Sequence, residues 1–135
     1  MKAAVRYYTQ TGNTKQLAEA IAGALGVEAK SVAVPLEEDA EILFLCHSVY
    51  WAGVDGQVKR FLESPGAKIG QIVNVSTAAL IESTYGQMKK LCAEAGIPLS
   101  EREFHCKGSF KVLHKGRPNA EDLENARAFA KEVTA

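Results

Sequence analysis

The chain has 135 residues, of which 47% are hydrophobic and 24% charged, and its 16 basic residues are balanced by 16 acidic ones. This composition is typical of one globular domain and excludes a disordered or low-complexity chain. A net charge of zero argues against nucleic acids and anionic membranes as partners, because both attract basic surfaces.

Short apolar strands alternate with amphipathic helices along the chain. The spacing of Leu17, Ile21 and Leu25 indicates one face of a helix, whereas the continuous apolar run at residues 41–46 indicates a strand buried on both faces. Residues 101–106 alternate polar and apolar side chains, which predicts an edge strand. In chain order we predict a strand at 2–8, a helix at 14–25, strands at 29–34 and 41–46, a helix at 54–63, a strand at 71–76, a helix at 84–95, a strand at 101–106 and a last helix after residues 118–119.

Taken as five strand–helix units, this alternation predicts an α/β fold in a single domain spanning residues 1–135. The expected architecture is a doubly wound, five-stranded parallel sheet with strand order 2-1-3-4-5 and helices on both faces. Such sheets bind ligands beyond the carboxyl ends of the strands, at the point where the strand order reverses. The segments after strands one, three and four are therefore the candidate binding site.

The cysteines and histidines do not indicate a metal site or a disulfide framework. Cys46, Cys92 and Cys106 are odd in number and lack C-x-x-C spacing, which favours a reducing cytoplasm. His47 and His105 each adjoin a cysteine in a predicted strand, where neighbouring side chains face opposite ways. We also expect no signal peptide, because the first residues read as a strand, and no apolar run approaches the ~18 residues of a membrane span.

The segment after the first strand is rich in hydrogen-bond donors and opens directly into a helix. A helix N-terminus offers unpaired amides and a positive dipole end, so such a segment suits an anion. An ordinary helix cap would explain one of these residues, but not so many polar donors together. Because neither a Walker A motif nor a G-x-G-x-x-G motif is present, a single phosphate group is the better fit. The predicted ligands are Thr9, Gln10, Thr11, Gly12, Asn13 and Thr14.

The pattern T-x-T-G-N-T in this position resembles the FMN phosphate-binding loop of the flavodoxins. The resemblance extends to the chain length, to an aromatic segment after strand three, and to residues 104–108 and 116–118 before the last helix. The chain is similar to short-chain flavodoxins and flavodoxin-like FMN-binding proteins. This resemblance implies the flavodoxin fold, non-covalently bound FMN, and electron transfer by the flavin to transient redox partner proteins.

The same resemblance implies that the segment after strand three contacts the flavin ring. Trp51, the only tryptophan, would stack on the ring, and Gly53 would present a backbone peptide to its edge. From the residues alone, Tyr50 and Trp51 could equally pack on the top of the following helix. The ring-contacting residues predicted here are Ser48, Tyr50, Trp51, Ala52 and Gly53.

The segment after strand four completes the predicted site with Ser76, Thr77 and Ala78, which offer hydrogen bonds to the polar edge of the ring. Flavodoxins usually carry an acidic residue and a second aromatic residue here, whereas Tyr85 in this chain reads as the start of a helix. One flavin face is therefore expected to be open.

Two functions and a third possibility follow from this site. The open flavin face favours a small FMN-dependent reductase. The absence of an obvious acid, base or nicotinamide-binding insert favours an electron carrier, with no catalytic residue predicted. The third possibility is a flavodoxin-fold protein without flavin.

Overall fold

Five strands and four helices form within residues 2–8, 12–49, 56–78, 84–107 and 118–135, the parts of the chain that the computed structural model describes. For Val49, Ala78 and Lys107 the description covers the backbone only. In chain order the elements are β1 (Ala3–Tyr8), α1 (Asn13–Leu25), β2 (Ala29–Ser31), β3 (Ala40–Val49), α2 (Gly56–Glu63), β4 (Ile69–Ala78), α3 (Tyr85–Ala95), β5 (Leu99–Lys107) and α4 (Ala120–Thr134).

The strands form one parallel sheet in the order β2-β1-β3-β4-β5. The strand order and the edge position of β5 are as predicted. The order reverses between β1 and β3, so the carboxyl ends of these two strands flank the position where doubly wound sheets bind ligands.

Alternate residues of β3 belong to two separate hydrophobic cores. Ile42, Phe44 and Cys46 pack against α1 and α4, whereas Leu43 and Leu45 pack against α2 and α3 on the opposite face. All five side chains are buried, which explains why this strand reads as a continuous apolar run. Helices therefore cover both faces of the sheet, and the predicted fold class is confirmed.

The described part of the chain has four strand–helix units and not five, because the connection from β2 to β3 contains no helix, in agreement with the four helices predicted in chain order. Residues 32–39 form turns and bends and contain no helix. Val32 and Leu36 of this connection are buried in the core beside α2 and α3. The connection itself therefore covers part of the sheet face that a crossover helix would otherwise cover.

The strand β2 ends at Ser31 and not at residue 34 as predicted, because the chain turns there. The Val34 amide donates to the Ser31 carbonyl over 3.0 Å, and the Ser31 hydroxyl accepts from the Ala33 amide over 3.1 Å. The buried Arg6 of β1 then holds the turned chain, because its Nε donates to the Val34 carbonyl over 2.8 Å and its Nη2 to the Pro35 carbonyl over 3.2 Å.

The strands β3, β4 and β5 extend past their predicted carboxyl ends. The sheet register pairs His47 with Ser76 and Ser48 with Thr77, so polar residues that follow the apolar runs continue the sheet. Ser48, Ser76, Thr77 and the backbone of Ala78 therefore lie in strands and not in the segments after them. Helix α1 likewise begins one residue earlier than predicted, at Asn13.

The described part of the chain contains no helix long and apolar enough to cross a membrane. Within the same residues, no three His, Cys, Asp or Glu side chains converge as a metal site would require. The three cysteines are free thiols, and burial raises the pKa of Cys92 to about 11.

Candidate functional site

The structure describes one half of the predicted binding residues. Gly12, Asn13 and Thr14 lie at the start of α1, and Ser48 and the residues 76–78 lie at the carboxyl ends of β3 and β4. The other predicted ligands lie outside the described residues, namely Thr9, Gln10, Thr11, Tyr50, Trp51, Ala52 and Gly53.

Helix α1 begins at a glycine that has no side chain to cap it. Gly12 is the N-cap residue, with φ 88° and ψ −8°, and its carbonyl accepts the first intrahelical bond from the Gln16 amide over 3.1 Å. A left-handed backbone is costly for a residue with a Cβ, which explains a glycine at this point. The first turn of α1 carries no acidic side chain. This helix end, with its positive dipole and amide donors, therefore suits an anion.

A cluster of buried hydroxyl groups lies beside this helix end. Thr14 Oγ1 and Thr77 Oγ1 are 2.9 Å apart, so a hydrogen bond joins α1 to β4. Ser48 is paired with Thr77 in the sheet register, and its buried Oγ has no hydrogen-bond partner among the described residues. The hydrogen bond between the two threonines uses one hydroxyl proton, so the other hydroxyl proton is available for donation to a third group. The cluster of Thr14, Ser48 and Thr77 therefore offers donors close to the start of α1.

The sheet separates Ser76 from this hydroxyl cluster. Ser48 and Thr77 lie at the same alternate positions as the core residues Cys46 and Val75, which face α1 and α4, whereas Ser76 has the parity of Ile72, which packs against α2 and α3. The Ser76 Oγ is buried and has no hydrogen-bond partner among the described residues. The predicted set of polar residues is thus divided between the two faces of the sheet.

A second polar group, which the sequence analysis missed, lies on the α2 and α3 face. His47 is fully buried, and its Nε2 lies 2.8 Å from Asn74 Oδ1 and 2.9 Å from Thr84 Oγ1. Asn74 Nδ2 in turn donates to Thr84 Oγ1 over 3.0 Å. We call these three residues the His47 triad. One available signal was Asn74, a polar residue flanked by the apolar residues Ile72, Val73 and Val75.

The partners of the triad define the protonation state of His47. Burial lowers the pKa of His47 to about 4, against a smaller opposing effect of its hydrogen bond to Asn74, so the ring is neutral at pH 7. Asn74 Nδ2 lies 3.5 Å from Glu103 Oε2, which orients the amide with Oδ1 toward the histidine. Because Oδ1 can only accept, His47 Nε2 carries the proton and Nδ1 has a lone pair. The buried Nδ1 has no partner among the described residues.

The hydroxyl of Thr84 is used for the triad and not for its own helix. Thr84 is the N-cap residue of α3, but it makes no side-chain capping bond. Helix α4, by contrast, begins with a complete capping box between Asn119 and Asp122. Since a threonine cap contributes about 1 kcal/mol, α3 loses local stability in exchange for a tertiary contact with β3 and β4.

Comparison with known proteins gives matches in structure but not in sequence. No protein-family model matches the chain, and no curated protein sequence does. A flavodoxin from the domain Archaea superimposes with a TM-score of 0.75 at 18% identity, covering 98% of this chain and 96% of that one. A short-chain flavodoxin associated with a non-canonical PDU bacterial microcompartment gives a TM-score of 0.71 at 19% identity, covering 99% and 97%. Oxidised flavodoxin 1 from Bacillus cereus gives 0.65 at 16% identity, covering 99% and 97%. The chain therefore has the flavodoxin-like fold over nearly its full length.

Proposed function

We propose that the protein binds FMN non-covalently and carries electrons between redox partner proteins. In this proposal residues 1–135 act as one domain in the cytoplasm, and partner proteins dock transiently. FMN, when bound, supplies one- and two-electron redox chemistry. The protein supplies the binding site, with the phosphate at the start of α1 and the ring near the carboxyl ends of β3 and β4.

The observation that carries this proposal is the chemistry at the start of α1. A left-handed glycine opens the helix, and the buried hydroxyls of Thr14 and Thr77 lie beside it at the strand-order reversal. The donors are neutral, and the orphan hydroxyl of Ser48 is the kind of group that a bound ligand would satisfy. These features fit a phosphate monoester better than a pyrophosphate, which needs a second glycine-rich turn. The flavodoxins that share the fold support the choice of FMN.

The described site residues favour a carrier over a reductase. Gly12, Asn13, Thr14, Ser48 and Thr77 contain no ionisable side chain, so none of them can act as a general acid or base. The nearby His47 is buried and neutral at pH 7. A reductase acting on an open flavin face is therefore the less supported of the two functions.

Titration with FMN and with riboflavin, followed by flavin fluorescence at pH 7, tests the proposal. Two hydrogen bonds to a charged phosphate, at ~1.5–3 kcal/mol each, predict FMN binding about a hundredfold tighter or more than riboflavin. Equal affinities would contradict the phosphate site, and binding of neither would contradict a flavin-binding function.

The double substitution Thr14→Val/Thr77→Val localises the phosphate. Valine matches threonine in shape, and removing both partners of a hydrogen bond together costs little stability. We expect FMN affinity to fall about tenfold while riboflavin affinity stays constant, because the hydroxyl available to the phosphate is lost. Thr134→Val is the matched control, since Thr134 lies at the far end of α4 and its hydroxyl donates to the Ala130 carbonyl over 2.9 Å. An equal loss for both ligands would place the phosphate elsewhere.

The single tryptophan provides a separate test of the ring position. Trp51 lies outside the described residues, but the proposal stacks it on the flavin. Its fluorescence should be quenched when FMN or riboflavin binds, and Trp51→Ala should weaken both ligands about fivefold, the equivalent of ~1 kcal/mol of stacking. Unquenched fluorescence in the complex would mean that Trp51 packs within the protein instead.

A further inference from the structure

We propose that the His47 triad is a positioning unit that holds the carboxyl ends of β3 and β4, which border the proposed flavin ring, in a fixed position relative to the start of α3. This inference rests on the proposed function for the identity of the ligand. The contacts of the triad are independent of it. His47, Asn74 and Thr84 are all 0–1% exposed, so the unit is shielded from water.

The triad joins the carboxyl end of β3, the strand β4 and the start of α3. His47 lies two residues before the end of β3, which leads into residues 50–55. Thr84 is the first described residue after 79–83, the segment that follows β4. The 2.9 Å contact between His47 Nε2 and Thr84 Oγ1 therefore connects the end of β3 to the start of α3. Asn74 supports this contact from β4, with bonds to both partners.

Two features indicate that this contact serves more than local structure. Thr84 occupies the N-cap position of α3, yet its hydroxyl is directed to His47 and Asn74 and makes no capping bond. A buried polar group also occupies the sheet face that carries the apolar core residues Leu43, Leu45 and Ile72. Sequences depart from local preferences in this way mostly at sites that function requires.

The triad and the hydroxyl cluster make separable predictions, because they lie on opposite faces of the sheet. The cluster of Thr14 and Thr77 lies beside the proposed phosphate position, so its loss should affect FMN alone. The triad supports the strand ends proposed to lie near the ring, and FMN and riboflavin share the same ring. Loss of the triad should therefore weaken both ligands by one factor and leave their ratio unchanged.

The deciding experiment compares Thr84→Val with Thr84→Ser. Valine keeps the shape and removes the hydroxyl, whereas serine retains it. In Thr84→Val we expect FMN and riboflavin to bind about tenfold more weakly each, because preorganisation is lost. In Thr84→Ser both affinities should stay within about twofold of the wild type. His47→Phe replaces the ring by one without N–H donors and should repeat the Thr84→Val result.

Hydrogen exchange of the flavin-free protein gives a readout that does not depend on any ligand. Backbone amides at the carboxyl ends of β3 and β4, in residues 47–49 and 76–78, should exchange faster in Thr84→Val and His47→Phe than in the wild type and Thr84→Ser. Wild-type flavin affinities in both disrupted variants, with faster exchange confined to the first turn of α3, would overturn the inference and assign the triad to stability. If the wild type binds neither flavin, the proposed function fails, and the exchange pattern alone decides whether the triad positions these strand ends.

Discussion

Replacing Arg6 by alanine is expected to lower the free energy of unfolding by about 3 kcal/mol, since it removes several charge-assisted hydrogen bonds and the packing of a buried stem. Arg6 is 5% exposed, and its guanidinium donates to the carbonyls of Val5, Val34 and Pro35 over 2.8–3.2 Å. Burial lowers the pKa of Arg6, which means that keeping this side chain charged in the folded protein costs free energy. The carbonyl bonds offset that cost.

The comparison of Arg6→Lys with Arg6→Ala isolates the role of the guanidinium fork. Lysine keeps the charge and a long apolar stem, but it presents a single ammonium group in place of three directed nitrogens. We expect Arg6→Lys to lose roughly half of the free energy that Arg6→Ala loses, measured by urea unfolding at pH 7. A loss below about 1 kcal/mol in Arg6→Ala would show instead that burial of Val32 and Leu36 suffices to hold the β2–β3 connection.

This connection also shows where prediction from the sequence reached its limit. The parallel sheet, its strand order and its two helical layers follow from periodicity, because apolar runs and helical stripes record which faces are buried. The packing of the connection between β2 and β3 has no comparable signal, because residues 32–39 are held by Arg6 and by the turn at Ser31. From the sequence alone, an arginine in a predicted strand is interpreted as exposed to solvent, because nothing near it in the sequence indicates the segment that buries it.

The residues of the candidate site could likewise be predicted only where they lie close together in the sequence. The donor-rich segment 9–14 could be found because it combines a glycine, hydroxyls and a helix start, all of which are local in sequence. The pairing of Thr14 with Thr77 spans 63 residues, and the contact of His47 with Thr84 spans 37, so neither leaves a local pattern. The division of Ser76 and Thr77 between the two sheet faces depended on β4 continuing to Ala78, past the end of its apolar run.

Acid is expected to destabilise the protein through His47 by about 3 kcal/mol between pH 6.5 and pH 4. The pKa of this histidine falls from 6.5 to about 4 in the folded protein because the ring is buried. Between these two values the unfolded chain binds a proton at this residue that the folded chain does not, so the free energy of unfolding falls as the pH falls. Each pH unit across the window corresponds to about 1.4 kcal/mol, and the loss from this group levels off below the folded pKa.

His47→Phe separates this contribution from that of the carboxylates, which titrate in both proteins. From pH 7 to pH 4, the free energy of unfolding measured with urea should fall more steeply in the wild type than in the variant, because only the wild type loses free energy at residue 47. The value at pH 7 can differ between them for other reasons, such as the loss of the bond to Asn74 Oδ1 in the variant, but the slopes isolate the histidine. Parallel slopes would mean that folded His47 accepts a proton as readily as the unfolded chain. Protonation would then occur at Nδ1, and it would require an acceptor for that nitrogen beyond the described contacts with Asn74 and Thr84.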